Sequence, residues 1–292
     1  MRTSLAFRKT LCIATLAVCG LLMQGCSAVK LAYHQAAHLT YWQLNRYLDL
    51  SDTQVERVRS ELDGLHQWHR DTMLARHAEL LQNVQQQLPS TISPGQACRI
   101  YGEARAQLDK VLAQAEPTVV WLASQLSEAQ IRHLESEQAD GNADWKKEWL
   151  DPSPDKRRER RFKELSSRLE DFYGPLAEPQ KVVLRAVIAQ SSFDPQRTYA
   201  ERLRRQKDLA QVLRSISADR HNTAQARVLL LAFLARVTES PDPAYVRYAQ
   251  TLTEESCEGF ARLHNAMTPA QRLRAVQSLK GYERDFLTLA AR

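Results

Sequence analysis

The sequence predicts an all-α protein with about nine to eleven helices and no sheet. Apolar residues recur three or four positions apart through most of the chain, which is the spacing of one helix face. No stretch alternates apolar and polar residues between turn signals, and 9 Gly and 11 Pro among 292 residues are few for a protein built of short strands. A hydrophobic content of 43% with 25% charged residues can bury a sizeable core, which excludes a disordered chain.

The predicted helices follow one another along the chain. A first apolar stripe runs from Val55 to Leu65, changes phase at residues 66–72 and continues from Leu74 to Leu88. Later stripes comprise Ile100, Ala104, Leu108, Val111 and Ala115; Phe162, Leu165, Leu169 and Phe172; Leu203, Val212, Leu213 and Ile216; and the ranges 229–234, 245–263 and 273–289. Breaks are expected at Pro89, Pro117, Pro152, Gly174-Pro175, 193–195 and 241–243, because proline and glycine interrupt helices.

Five helix starts share one pattern, in which an apolar residue precedes Ser or Thr and Gln follows three positions later. The hydroxyl residues are Ser51, Ser93, Ser127 and Thr268, and Ala177 takes that place in the fifth copy. This is the pattern of a capping box, in which the hydroxyl and the Gln satisfy free amides at the helix start. Such a cap stabilises any helical protein by about 1 kcal/mol, so the pattern alone implies no function.

The same pattern resembles the LTxxQ motif of small periplasmic helical chaperones and metal-stress sensors. That resemblance implies a chaperone-like or metal- and stress-responsive role as an alternative to ordinary capping. The five copies are irregularly spaced along the chain, so no repeat array is predicted.

Residues 1–25 have the three-part build of a secretion signal. Basic residues Arg2, Arg8 and Lys9 precede an apolar run of about 12 residues, too short to span a bilayer. The sequence LMQGCS at 22–27 resembles the lipobox of bacterial lipoproteins, which implies cleavage before Cys26 and a diacylglycerol on its thiol. Ser27, in place of the Asp that marks inner-membrane retention, implies an outer-membrane protein that faces the periplasm.

Removal of this signal leaves residues 26–292 as one predicted helical domain. Two or more acyl chains hold a protein on a membrane stably, whereas one does so only marginally. The 40 Lys and Arg fall to 37 once the three basic residues of the signal are gone, against 34 Asp and Glu. The net charge therefore falls from +6 to +3, so much of the basicity belongs to the signal.

Two of the five cysteines, Cys98 and Cys257, remain free after processing. In an oxidising periplasm, two such residues suggest one disulfide. The alternative is a pair of buried thiols in a helical core. Their spacing matches no CxxC redox or zinc pattern.

Residues 29–49 follow the predicted anchor almost without a linker. Their aromatic residues, Tyr33, Tyr41, Trp42 and Tyr47, suit either a membrane interface or a protein core.

Residues 142–163 form the most distinctive segment. Trp145 and Trp149 lie one helical turn apart, and six basic residues follow a proline turn: Lys156, Arg157, Arg158, Arg160, Arg161 and Lys163. Outside the cytosol such a cluster suits an acidic protein surface, an anionic lipid or lipopolysaccharide rather than nucleic acid. The alternative is a solvated helix face. A second cluster, Arg202, Arg204, Arg205 and Lys207, would enlarge the basic surface if the two met.

Signatures of catalysis are absent from the sequence. There is no glycine-rich phosphate loop, no GxSxG turn and no HExxH, so we expect neither enzymatic activity nor a cofactor. His34 and His38, and His66 and His69, share helix faces in pairs, but two imidazoles make no complete metal site. We therefore expect no metal centre.

The order of segments resembles a family of uncharacterised bacterial lipoproteins with a domain of unknown function. The resemblance is carried by the lipobox, by residues 27–50, by Leu65–Arg70, by NADWKKEWL at 142–150 and by SSFDPQRTYAERLRRQ at 191–206. It implies a membrane-anchored helical domain and no catalytic residues. The sequence thus predicts a non-enzymatic binding or scaffold protein of the cell envelope.

Overall fold

The computed structural model describes residues 28–291, and this part of the chain is helical without a strand, which confirms the all-α prediction. Its helices are α1 (Ala28–His34), α2 (Ala36–Leu48), α3 (Asp52–Thr72), α4 (Leu74–Gln87), α5 (Pro94–Gln125), α6 (Glu128–Trp149), α7 (Pro154–Tyr173), α8 (Glu178–Gln190), α9 (Pro195–Ala218), α10 (Thr223–Thr238), α11 (Pro243–Ala266) and α12 (Pro269–Ala290). Single-residue breaks at Gln35 and Met73 raise the number in this range to twelve.

The predicted break at Pro117 is wrong, because α5 continues through this residue. Proline deprives a helix of one amide and displaces the carbonyl four residues earlier. Here that residue is Ala113, which is exposed, so water can satisfy its carbonyl. Packing at both ends of α5 holds the helix across the weak point, since its start contacts α11 and its last turns contact α3 and α10.

The predicted caps are confirmed at all four hydroxyl positions. Each hydroxyl accepts a hydrogen bond from the backbone N–H three residues later, at 3.2–3.4 Å, in Ser51, Ser93, Ser127 and Thr268. The side-chain oxygen of each Gln accepts from the backbone N–H of the cap residue. Ala177 has no side-chain oxygen, so only Gln180 acts there, accepting from the Ala177 amide at 2.9 Å.

Four of the five motifs also bond to one another in pairs. The side-chain amides of Gln54 and Gln130 hydrogen-bond to each other. Each amide also donates to a backbone carbonyl that lies two residues before the cap residue of the other motif. Gln54 donates to the Gln125 carbonyl at 3.0 Å, and Gln130 donates to the Asp49 carbonyl at 3.1 Å. This arrangement ties the turn between α2 and α3 to the turn between α5 and α6.

Gln180 and Gln271 repeat the arrangement in the second half of the chain. Gln180 donates to the Ala266 carbonyl at 3.2 Å, and Gln271 donates to the Pro175 carbonyl at 3.0 Å. The two amides also bond to each other. At each glutamine pair, two helical hairpins therefore face one another. The bonds that one hairpin makes to the other are returned in the same form, as in a local two-fold arrangement.

Each glutamine pair adjoins one of the two largest hydrophobic clusters. The first cluster gathers residues of α2, α3, α6, α9, α10 and the end of α5. The second gathers residues of α7, α8, α12, the end of α11 and Leu88 just after α4. The pairing of α4 with α12 and of α5 with α11 joins the two halves. The glutamines thus align the hairpins whose apolar faces build these cores.

We expect Gln180→Ala to lower the free energy of unfolding by about 2–4 kcal/mol. Gln180 is buried, and its loss leaves the Ala177 amide and the Ala266 carbonyl without their partner, at about 1–3 kcal/mol for each unsatisfied group. Gln96→Ala is the matched control, because Gln96 occupies the same place in its motif and bonds only within its own cap. Urea denaturation should show a loss of at most about 1 kcal/mol for the control. Equal losses would contradict a role for the pairing.

Candidate binding surface

A long part of α5 is exposed to solvent although it carries apolar residues. Tyr101, Leu108, Leu112 and Val119 have 44–55% of their surface exposed. They follow one another at intervals of seven, four and seven residues, so they lie along one side of the helix. At 1.5 Å per residue this stripe is about 27 Å long. We call these four residues the α5 stripe.

An apolar crevice lies between the first turns of α5 and α11. Its volume is about 390 Å³, and it is lined from α5 by Ala97, Ile100 and Tyr101. The lining from α11 is supplied by Leu252, Thr253, Ser256, Cys257 and Phe260. Tyr101 belongs to both the crevice and the stripe, so the two are continuous. A second crevice, of about 530 Å³, shares Thr253 and runs along α11 toward Tyr245.

Helix α10, which packs against α5, also exposes apolar residues. Val228 is 60% and Leu231 is 40% exposed, three residues apart on the same helix. The ion pair between Arg227 of α10 and Glu116 of α5 holds the two helices together next to these residues. Large apolar surfaces are rare on soluble proteins unless they bind something.

A disulfide between Cys98 and Cys257 secures the crevice at its base. It joins α5 to α11 across 159 residues of sequence, with the Cα atoms 5.3 Å apart. Ile92, Ala97, Cys257 and Ala261 form a small buried cluster around it. The bond therefore fixes the distance between the two walls of the crevice.

Of the sequence stripe Ile100, Ala104, Leu108, Val111 and Ala115, the structure leaves Ala104 and Leu108 exposed. Val111 and Ala115 of the same stripe are half-buried. Apolar periodicity alone could not separate the exposed from the half-buried members, because it identifies a helix face and not what covers that face.

The predicted tryptophan pair packs against aromatic rings of neighbouring segments. The Trp145 ring stacks on Tyr199 of α9, with centroids 5.3 Å apart, and Trp149 meets Phe193 edge-on at 5.5 Å. Both indoles are half-buried. These rings fasten α6 to α9 and to the segment before it.

The predicted basic segment lies at the start of α7, and most of its arginines bond to other groups of the protein. Arg158 pairs with Asp155, and Arg160 lies 3.4 Å from Glu164. Arg161 is half-buried and donates to Ser191 at 3.2 Å, while Arg157 donates to the Pro152 carbonyl. Lys156 and Lys163 are exposed and form no ion pair with any residue in 28–291.

The second basic cluster is also used internally. Glu201 is almost fully buried and accepts hydrogen bonds from Arg204, Arg205 and the hydroxyl of Ser240, at 2.7–3.2 Å. Burial raises the pKa of this carboxyl, but the bonds from the two arginines outweigh it and lower the pKa overall. Arg202 donates to Asn142 of α6 at 2.6 Å. Three of the four basic residues thus have hydrogen-bond partners within the protein.

Of the four histidines that share helix faces in pairs, His66 and His69 take part in a hydrogen-bonded cluster with Tyr33 and His77, whereas His34 and His38 are exposed. The Tyr33 hydroxyl lies 3.1 Å from His69 Nδ1, and His69 Nε2 lies 3.3 Å from His77 Nε2. His66 donates to the Tyr33 carbonyl at 3.0 Å. Within residues 28–291 no three His, Cys, Asp or Glu side chains are grouped so that they could hold a metal ion.

We expect the free energy of unfolding to fall by about 1–2 kcal/mol between pH 7 and pH 5 through this cluster. Burial, and then the charges of His77 and His66, lower the pKa of His69 to about 4, and burial also lowers that of His77. The folded protein therefore binds fewer protons than the unfolded chain, whose histidines titrate near 6.5. The stability is complete above pH 6.5 and is lost as the pH falls toward 4. Urea titrations should show a smaller pH dependence for His69→Gln, and an unchanged one would contradict this assignment.

The predicted signal at 1–25 and the predicted lipid attachment at Cys26 lie outside the described residues. In residues 28–291, no helix combines the length and apolarity needed to cross a bilayer.

A search of curated proteins and a search of solved structures each gave no match. A family model of unknown function, DUF6279, matches residues 46–230, more than half of the chain. The matched region runs from the end of α2 into α10 and includes the first glutamine pair and the α5 stripe. The chain therefore belongs to the DUF6279 family of unknown function.

Proposed function

We propose that this is a lipid-anchored protein of the outer membrane that faces the periplasm and binds an apolar segment of another envelope protein, without enzymatic activity. The observation that carries the binding part is the α5 stripe and its crevice. The signal-like sequence at 1–25 and the lipobox-like sequence around Cys26 support the proposed location.

The apolar lining decides which chemical class the surface suits. The α5 stripe offers four apolar side chains along about 27 Å, enough for several turns of a helix or an extended segment. Among residues 28–291, the first crevice is lined by apolar side chains, by the hydroxyl residues Thr253 and Ser256, and by Tyr101 as the one titratable side chain. Catalysis usually depends on converging titratable groups, so this crevice suits binding better than chemistry.

An anionic lipid or lipopolysaccharide remains the weaker alternative. Its support was the basic segment, but Arg158, Arg160 and Arg161 are held by neighbouring side chains. A chaperone-like role uses the same apolar surface and differs in tolerating many client sequences. The LTxxQ-like motifs support it only by resemblance.

Site-specific photocrosslinking in living cells tests the proposal. A photoreactive residue at Leu112 or Leu231 should give discrete crosslinked products, and the same residue at Val182 or Leu273 should not. Val182 and Leu273 are matched controls, because they are equally apolar and at least as exposed but lie on α8 and α12.

The captured protein should then be purified and titrated against the full chain. Leu112→Glu should weaken binding at least about tenfold, because it places a charge in an apolar contact, and Val182→Glu should leave it unchanged. Products that form equally from all four positions, or affinity that survives Leu112→Glu, would overturn the proposal. A ladder of many products from Leu112 and Leu231 alone would favour the chaperone-like form.

A further inference from the structure

The first two helices expose an apolar face that no other part of residues 28–291 covers. Leu31, Leu39 and Trp42 are 64%, 59% and 68% exposed. Gln35 between α1 and α2 keeps helical backbone angles, so these residues share one side of a nearly continuous helix. Residues 28–48 thus form a rod of about 30 Å.

The opposite side of the same rod packs on the protein. Tyr41 and Leu48 are buried in the first hydrophobic cluster, and Tyr33 contacts His66 and His69. Of the four aromatic residues weighed for a membrane interface, only Trp42 is exposed. The rod is therefore fixed on the protein and cannot turn Leu31, Leu39 and Trp42 inward.

The charge of the rod suits an anionic surface. Residues 28–48 contain no Asp or Glu, and they contain Lys30, Arg46, His34 and His38. Arg46 flanks Trp42 at the end of the face, with most of its side chain exposed even though it pairs with Glu137. Lys30 pairs with Asp285.

The start of the rod lies close to the predicted point of attachment. Only Ser27 lies between Cys26 and Ala28, so a fully extended chain spans at most about 7 Å from one Cα atom to the other. A lipid on Cys26 would therefore bring α1 to the membrane surface with no room for a tether.

We propose that Leu31, Leu39 and Trp42 lie in the headgroup region of the membrane that holds the lipid on Cys26. This inference rests on the proposed anchor and adds the orientation of the protein on the bilayer. Indole and leucine side chains favour that depth, and a helix with one apolar face lies along the interface rather than across it. Flanking cations are attracted by anionic headgroups.

The test uses the full acylated chain in vesicles of phosphatidylethanolamine and phosphatidylglycerol with acyl chains brominated near the headgroup. Bromine quenches nearby tryptophans, of which the chain has five. Trp42→Phe should reduce the bromine-dependent quenching at least about twofold, because only Trp42 is strongly exposed on this face. Trp145→Phe is the matched control and should leave the quenching unchanged, since Trp145 packs on Tyr199.

Flotation of the same vesicles separates the two claims. If the protein floats and Trp42→Phe is quenched as strongly as the wild type, the proposed membrane contact of Leu31, Leu39 and Trp42 is wrong, and the proposed lipid anchor is unaffected. Protein that does not float would overturn both. A third outcome is a wild-type protein that shows no bromine quenching in vesicles and forms a dimer in detergent, which Trp42→Ser dissociates. That outcome would assign the face to contact with a second copy and would also overturn the proposal.

Discussion

Replacing Cys98 and Cys257 together with serine is expected to lower the free energy of unfolding by about 4–5 kcal/mol. The bond closes a loop of 159 residues, and the entropy that such a loop removes from the unfolded chain corresponds to roughly this value in the chain-entropy model. Urea denaturation of the wild type and the double variant measures the difference. The wild type treated with a reductant should behave like the variant.

The same substitution should loosen the crevice. Between residues 101 and 114 most of α5 is exposed, so its first turns depend on contacts with α11 near the disulfide. Hydrogen exchange should therefore speed up first in residues 94–104 of the variant. A variant with an unchanged denaturation midpoint and unchanged exchange there would show that the bond contributes nothing to the fold.

Replacing Glu201 with alanine is expected to lower the free energy of unfolding by about 2–4 kcal/mol. Its buried carboxylate accepts from Arg204 and Arg205 and ties α9 to Ser240 ahead of α11. Removing one partner of a buried ion pair leaves the others uncompensated, at about 3–5 kcal/mol. The expected loss is smaller because both arginines are partly exposed and Arg204 also contacts Asp208.

Asp109→Ala provides the matched control. Asp109 pairs with Arg105 on the surface of α5, where both side chains are about half exposed. Such pairs contribute little, so this variant should differ from the wild type by less than about 0.5 kcal/mol. Because the bonds from Arg204 and Arg205 lower the pKa of Glu201, its contribution is present at neutral pH and is lost as the pH falls through that pKa. Equal stabilities of the two variants would contradict the role of Glu201.

Helix positions and caps follow from local sequence, and the sequence predicts them well. Capping boxes need only nearby residues, so Ser51 and Ser127 could be located in advance, and the predicted phase change at residues 66–72 lies just before the helix break at Met73. The pairing of Gln54 with Gln130 could not, because it depends on how distant hairpins meet. Irregular spacing of the motifs predicted no repeat array, yet the three-dimensional arrangement occurs twice.

The surface residues were harder to predict for a physical reason. A basic segment signals exposed charge, but a sequence does not show which arginines find acidic or hydroxyl partners, as Arg158, Arg160 and Arg161 do. Conversely, Leu112 and Trp42 are exposed although apolar residues in helices usually face a core. Only the packed structure separates an apolar residue that is covered from one that is left open.

Mass spectrometry of the N-terminal peptide, from protein extracted from the bacterial envelope, tests the central claim most directly. We predict a mature chain that begins at Cys26, with a mass increased by a diacylglycerol and a further acyl group on that residue. A chain that keeps residues 1–25, or one whose Cys26 carries no lipid, would contradict the account.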